Sequence, residues 1–304
     1  MEYIKNNYLY GIGSGDTWYV NIDPPKRKVK TYYEETIAAV EDVYANKTGK
    51  FTVLLSGGLD SQYVCEVLLK LKIDFDVVTI EYIGRDQQCY NFHDLKWAYE
   101  FCDSKNIKPK ILKIDFDSLV ESGKAVEIAK SIQCCSCPVV HLLSVIDQID
   151  GFILMGNDPP YLRYDKLKEI WLLEELQVIH GLLRYFEKHS LNGCPFLLSY
   201  TAEMMLSFLL DPSIQRLGSG LIPGKLGSNS TKSHVFNNGS NFNIPTYDFT
   251  RKNRIKLHGF ENIFNSSIRQ HPNIHIIMND HWQIWNGEYL EPYEDAVKRL
   301  SIYQ

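Results

Sequence analysis

The chain has 304 residues, 44% hydrophobic and 23% charged, with a net charge of −5 at pH 7. That length suits one large or two modest domains, and the acidic balance argues against broad nonspecific nucleic-acid binding. Seven cysteines in so long a chain do not make a disulfide scaffold. No apolar run approaches a membrane span or a signal-peptide core, so a cytoplasmic protein that meets no membrane is expected.

Residues 1–50 read as an N-terminal extension, with a strand at Thr17–Ile22, a break at Pro24 and Pro25, and a helix from Tyr32 to Tyr44. Residues 51–160 alternate between the two periods. Strands are expected at Phe51–Leu55, Phe75–Tyr82, Lys110–Phe116 and Phe152–Met155. Helices are expected at Ser61–Leu71, Phe92–Lys105, Ser118–Ile132 and Val139–Ile149, from apolar residues three and four apart. Such alternation predicts an α/β fold, a parallel sheet covered by helices on both faces. Residues 161–304 read as a mostly helical substrate or lid region. Helices are expected at Leu167–His189, Tyr200–Leu210 and Glu291–Ser301, a strand at Ile274–Met278, and a Gly-, Ser- and Asn-rich mobile loop over 217–245.

The chemistry concentrates where strands end. Leu54 and Leu55 run into Ser56-Gly57-Gly58-Leu59-Asp60-Ser61, and a helix pattern follows. Two glycines let the main chain turn tightly and approach an anion. The next helix would aim its unsatisfied amides and positive dipole end at that anion, and Ser56 and Ser61 add hydroxyls. Asp60 suits either a cation bridging phosphates or a helix cap. No Gly-Lys-Ser/Thr follows at Walker A spacing. A second strand end, Gly156-Asn157-Asp158, falls on the same edge of the expected sheet, where ligands of such folds bind. Asp158 suits a metal ligand or an Asx-turn.

This loop resembles that of the PP-loop ATP pyrophosphatases, whose members cleave ATP to AMP and pyrophosphate to activate a second substrate. The resemblance implies a Rossmann-like core, with ATP and Mg2+ as cofactors. Leu54, Leu55, Ser56, Gly57, Gly58, Asp60, Ser61 and Gly156 would line the nucleotide, Ile80 and Glu81 would meet adenine at the second strand, and Asp60 and Asp158 would hold the metal. Gly151–Asp158 and Cys194-Pro195-Phe196-Leu197 resemble segments of the asparagine synthetase branch. Arg254-Ile255-Lys256 stands where that branch carries an Arg-x-Lys segment, which makes Lys256 and Arg254, with Asp158, the implied catalytic residues; Lys225 competes with them. The implied substrate is a small molecule with a carboxylate acceptor, activated for transfer to ammonia or an amine.

The chain departs from that branch in three places. Only 55 residues precede the loop and position 2 is Glu, so the nitrogen is expected from ammonia, an amine or a separate glutaminase. Pro159 and Pro160 replace expected acids, and Leu198 replaces another. Two other readings stay open. A thiolating enzyme acting on tRNA or another acceptor would use Cys134, Cys135 or Cys137, which otherwise read as structural cysteines, with His141 as an added metal ligand. A nucleotide-binding sensor or partner subunit would have lost catalysis. His93-Asp94 reads as a polar pair opening a helix.

Overall fold

The computed structural model describes residues 8–12, 18–22, 24–132, 137–157, 159–165, 167–175, 177–218, 228–244, 266–277 and 289–302. Strands β1 (Tyr8–Ile12) and β2 (Trp18–Ile22) form an antiparallel hairpin. Helix α1 (Tyr32–Asn46) opens on a capping box: Thr31 Oγ1 accepts from the Glu34 amide, and the Glu34 carboxylate accepts from the Thr31 amide.

The central sheet contains β3 (Phe51–Leu54), β4 (Phe75–Ile83), β5 (Lys110–Asp115), β6 (Phe152–Met155) and β9 (Gly193–Cys194). Its order is β5-β4-β3-β6-β9, parallel throughout. The chain therefore runs outward from β3 to β5, then returns to add β6 and β9 on the other side. Along β6, Phe152 and Leu154 enter one hydrophobic cluster while Ile153 and Met155 enter the other. Both faces are thus covered, as expected for a parallel sheet. One face carries α1, α2 (Leu59–Lys70), α3 (Phe92–Lys105) and α8 (Ala202–Leu209). The other carries α4 (Phe116–Glu121), α5 (Lys124–Ile132), α6 (Cys137–Leu143) and α7 (Gln177–Lys188).

Several expectations are corrected. The helix expected at Ser118–Ile132 is two, α4 and α5, separated at Gly123, whose φ of 81° no helix continues. The long helix expected over Leu167–His189 begins only at Gln177. Before it lie β7 (Tyr161–Asp165) and β8 (Ile170–Glu175), an antiparallel pair. Asp165 Oδ1 accepts from the Leu167 and Lys168 amides, and Glu169 adopts a φ of 54°, which closes the hairpin. Buried Trp171, Leu172 and Leu173 form a short apolar run, which periodicity alone does not assign to strand or helix.

β10 (Tyr289–Pro292) pairs with the other edge of β8, and only then does α12 (Tyr293–Leu300) begin. The strand expected at Ile274–Met278 is instead helix α11 (Pro272–Ile277), opened by proline at its first position. The loop expected over 217–245 contains helix α10 (Ser228–Asn237), preceded by α9 (Pro212–Gly218). Among the described residues no helix is long and apolar enough to cross a membrane.

Candidate functional site

The last rung between β3 and β4 is the Leu55 amide on the Val78 carbonyl, at 2.9 Å. Beyond it the chain leaves the sheet through Ser56, Gly57 and Gly58. Gly57 has a φ of 84°, and a Cβ there would lie 2.2 Å from the Asp94 carbonyl oxygen of α3. Both the turn and the close approach therefore require glycine. Gly58 caps α2 with extended backbone. Gln62 Nε2 donates to the Gly57 carbonyl at 2.9 Å. Ser61 Oγ donates to the Gly58 carbonyl at 3.0 Å, the Ser56 amide reaches Ser61 Oγ at 3.3 Å, and the Gly58 amide reaches Ser56 Oγ at 3.3 Å. The two serines thus brace the loop, and their longer bonds are weak enough to exchange for an oxyanion. The first-turn amides of α2, which the helix itself does not satisfy, face this turn.

Asp60, in the first turn of α2, is 7% exposed, and its Oδ2 accepts from Lys232 Nζ at 2.7 Å. Lys232 lies on α10 and is 2% exposed. One turn further along α10, Phe236 stacks on Tyr63 of α2, with centroids 4.2 Å apart and planes 6° from parallel. Two contacts thus tie α10 to α2, and the aromatic one sets where the lysine stands. The Asn237 carboxamide exchanges two hydrogen bonds with the backbone of Ile244, and Asn238 Nδ2 donates to Asp211, which anchors the far end. Lys232 was not among the sequence candidates. Its segment, Asn229-Ser230-Thr231-Lys232-Ser233-His234, is polar all round. Only the spacing of Lys232 from Phe236 hinted at a helix with a buried face.

Gly156, at the end of β6, supports the loop. A Cβ on it would lie 2.7 Å from the Asp60 carbonyl carbon and oxygen. β6 therefore abuts the first turn of α2 at the switch in strand order between β3 and β6, where ligands of such sheets bind. Asn157 Nδ2 donates to the Pro195 carbonyl.

At the β4 edge, where Ile80 and Glu81 lie, the backbone meets a side chain. Asn91 Nδ2 donates to the Ile80 carbonyl at 2.8 Å, and Asn91 Oδ1 accepts from the Tyr82 amide at 3.0 Å. The Asn91 carboxamide thus continues the ladder past the end of β3. Glu81 accepts from Tyr99 at 2.8 Å and pairs with Lys113 at 3.3 Å. Burial first, and then that bond to Glu81, push the Tyr99 phenol up to about 12. Asn91→Ala would leave the Tyr82 amide without this acceptor, and a loss of about 1–3 kcal/mol in urea unfolding is expected.

Lys256, Arg254, Asp158, Lys225, Cys134 and Cys135 lie outside the described residues, and Cys137 is described only as the start of α6. Leu54 ends β3 half-buried, and Leu55, just past the strand, is buried. His93 Nε2 lies 3.7 Å from Asp94 Oδ2 at the start of α3. Burial pushes the Cys102 thiol up to about 11 and the Cys194 thiol up to about 12, so both behave as packing groups. The donors at the loop (the Asp60 carboxylate, two hydroxyls and backbone amides) are hard groups that fit a phosphate chain with Mg2+.

No family model matches the chain. A tRNA(Ile)-lysidine synthase from Mesoplasma florum is 24% identical over 161 residues, covering 49% of this chain and 39% of that protein. The resemblance to the PP-loop ATP pyrophosphatases is thereby supported. The chain spans about two fifths of that relative's length. Among solved structures, the NH3-dependent NAD synthetase from Campylobacter jejuni matches at 14% identity with a TM-score of 0.30, over 42% of this chain and 56% of that one. The U34-tRNA thiolase NcsA from Methanococcus maripaludis matches at 15% identity with a TM-score of 0.33, over 88% and 80%. The Mesoplasma florum relative does not single out the asparagine synthetase branch.

Proposed function

We propose that this chain is an ATP-dependent adenylating enzyme that binds Mg-ATP at the Ser56–Ser61 loop and releases pyrophosphate. The observation that carries this reading is the placement of a buried lysine, Lys232, against Asp60 in the first turn of the glycine-loop helix, at the switch point of a parallel sheet. An oxygen of the acceptor attacks the α-phosphorus, the bond to the bridging oxygen breaks, and pyrophosphate leaves with that electron pair. The loop amides and the α2 dipole hold the departing phosphates, and Lys232 offsets their growing charge. Asp60 would hold Mg2+, which when bound would spread charge over the phosphate oxygens. Arg254 and Lys256 are proposed to offset charge on the α-phosphate, and Asp158 to join Asp60 as a metal ligand. The acceptor oxygen then carries AMP, and attack by ammonia or an amine expels it.

A carboxylate is the acceptor implied by the asparagine synthetase resemblance. The tRNA(Ile)-lysidine synthase match favours a second reading, in which the acceptor is a tRNA. Pyrophosphate release from ATP tests both, first with a panel of carboxylates plus ammonia and then with total tRNA plus amines. Stimulation by one panel and not the other decides between them. ATP binding without pyrophosphate release under any condition would mark a nucleotide-binding subunit. If ATP does not bind, the proposal fails.

A further inference from the structure

We propose that Lys232 is an internal counter-cation that makes metal binding at Asp60 conditional on a bound polyphosphate; this rests on the adenylating reading above. The Asp60 carboxylate already carries a cation, the Lys232 ammonium at 2.7 Å, with both residues under a tenth exposed. A divalent ion on the same carboxylate would stand at contact distance from that ammonium, in a site screened from water, where like charges repel strongly. The Asp60 backbone cannot shift toward the end of β6, because it packs closely on Gly156. The α10 backbone cannot withdraw the lysine without parting Phe236 from Tyr63.

What can move is the lysine side chain. A polyphosphate on the loop amides offers the ammonium an anionic partner close beside Asp60. As Lys232 turns to it, the Asp60 carboxylate becomes available to the metal, and the phosphate oxygens supply further hard ligands. Metal and polyphosphate therefore bind with strong positive coupling, and the metal by itself binds poorly. The consequence is regulation at the site itself. Free cellular Mg2+ does not occupy Asp60, and the metal enters only with the substrate it must serve.

Equilibrium dialysis of the full chain with Mn2+, with inorganic pyrophosphate, and with both together tests this. Wild type should retain Mn2+ at least roughly tenfold more tightly with pyrophosphate than without. Lys232→Met, which removes the charge but keeps most of the length, should bind Mn2+ alone roughly tenfold more tightly than wild type and lose most of the coupling. Asp60→Asn covers the case in which Lys232→Met does not fold. It should lose the pyrophosphate-dependent Mn2+ and bind pyrophosphate alone at least as well as wild type, because the ammonium is no longer shared with a carboxylate. Equal Mn2+ affinity with and without pyrophosphate in wild type overturns the inference and leaves the adenylating reading standing. So does Asp60→Asn weakening pyrophosphate alone. Wild type that retains no pyrophosphate under any condition overturns the adenylating reading and this inference with it.

Discussion

Lys232→Ala is expected to slow ATP-dependent pyrophosphate release by roughly 100- to 1,000-fold and to cost about 3–5 kcal/mol of stability. The two effects have separate causes. A cation placed where charge develops acts on the transition state, so the rate falls even at saturating ATP. Stability falls because Asp60 is left as a buried carboxylate without its 2.7 Å ammonium partner. A double-mutant cycle separates them. Asp60→Ala should destabilise by a similar amount, whereas the double variant should be less destabilised than the two single losses summed, since the two charges are then removed together. Catalysis should not recover in the double variant. Urea midpoints and initial rates measured on the same four proteins check this. Strict additivity in stability would show that the pair is not coupled.

Gly57→Ala is the second large expected effect. Alanine at a φ of 84° costs about 1–2 kcal/mol from backbone strain alone. Its methyl carbon would fall 2.2 Å from the Asp94 carbonyl oxygen, so α3 must shift, and overpacking of this kind adds about 1–3 kcal/mol. The loop would move with it, and pyrophosphate binding should weaken together with the urea midpoint. Gly58→Ala is the internal control. Its backbone is extended, and the nearest neighbour of an added Cβ is the flexible Ser56 hydroxyl at 3.3 Å. Gly58→Ala should keep the fold within about 1 kcal/mol. If Gly57→Ala proves as mild as Gly58→Ala, the close packing of the loop on α3 is wrong.

The nucleotide-binding half was legible because its signals are local. Phe51–Leu54 is apolar except for Thr52, which suits a strand buried on both faces, and Phe152–Met155 is apolar throughout. The Ser56–Ser61 loop announces itself through residue types that only a tight, anion-facing turn needs. The C-terminal half was harder to read. β8 looks like helix because a short run of buried Trp, Leu and Leu carries no period, and one of its two partners, β10, lies far along the chain. α10 looks like loop because Ser, Asn and Thr have little helix propensity of their own. Its stability comes from tertiary contacts, chiefly Phe236 on Tyr63 and the Asn237 and Asn238 bonds.

The sequence by itself determined a parallel α/β core and a glycine loop at the end of its first strand, since periodicity and turn chemistry act between near neighbours. The tertiary structure alone decided which lysine meets Asp60, that Gly156 backs the loop, and that Asn91 occupies the β4 edge. Those pairings join residues from nine to 172 positions apart, and no local pattern encodes which distant side chain the packed helices will bring to a buried charge.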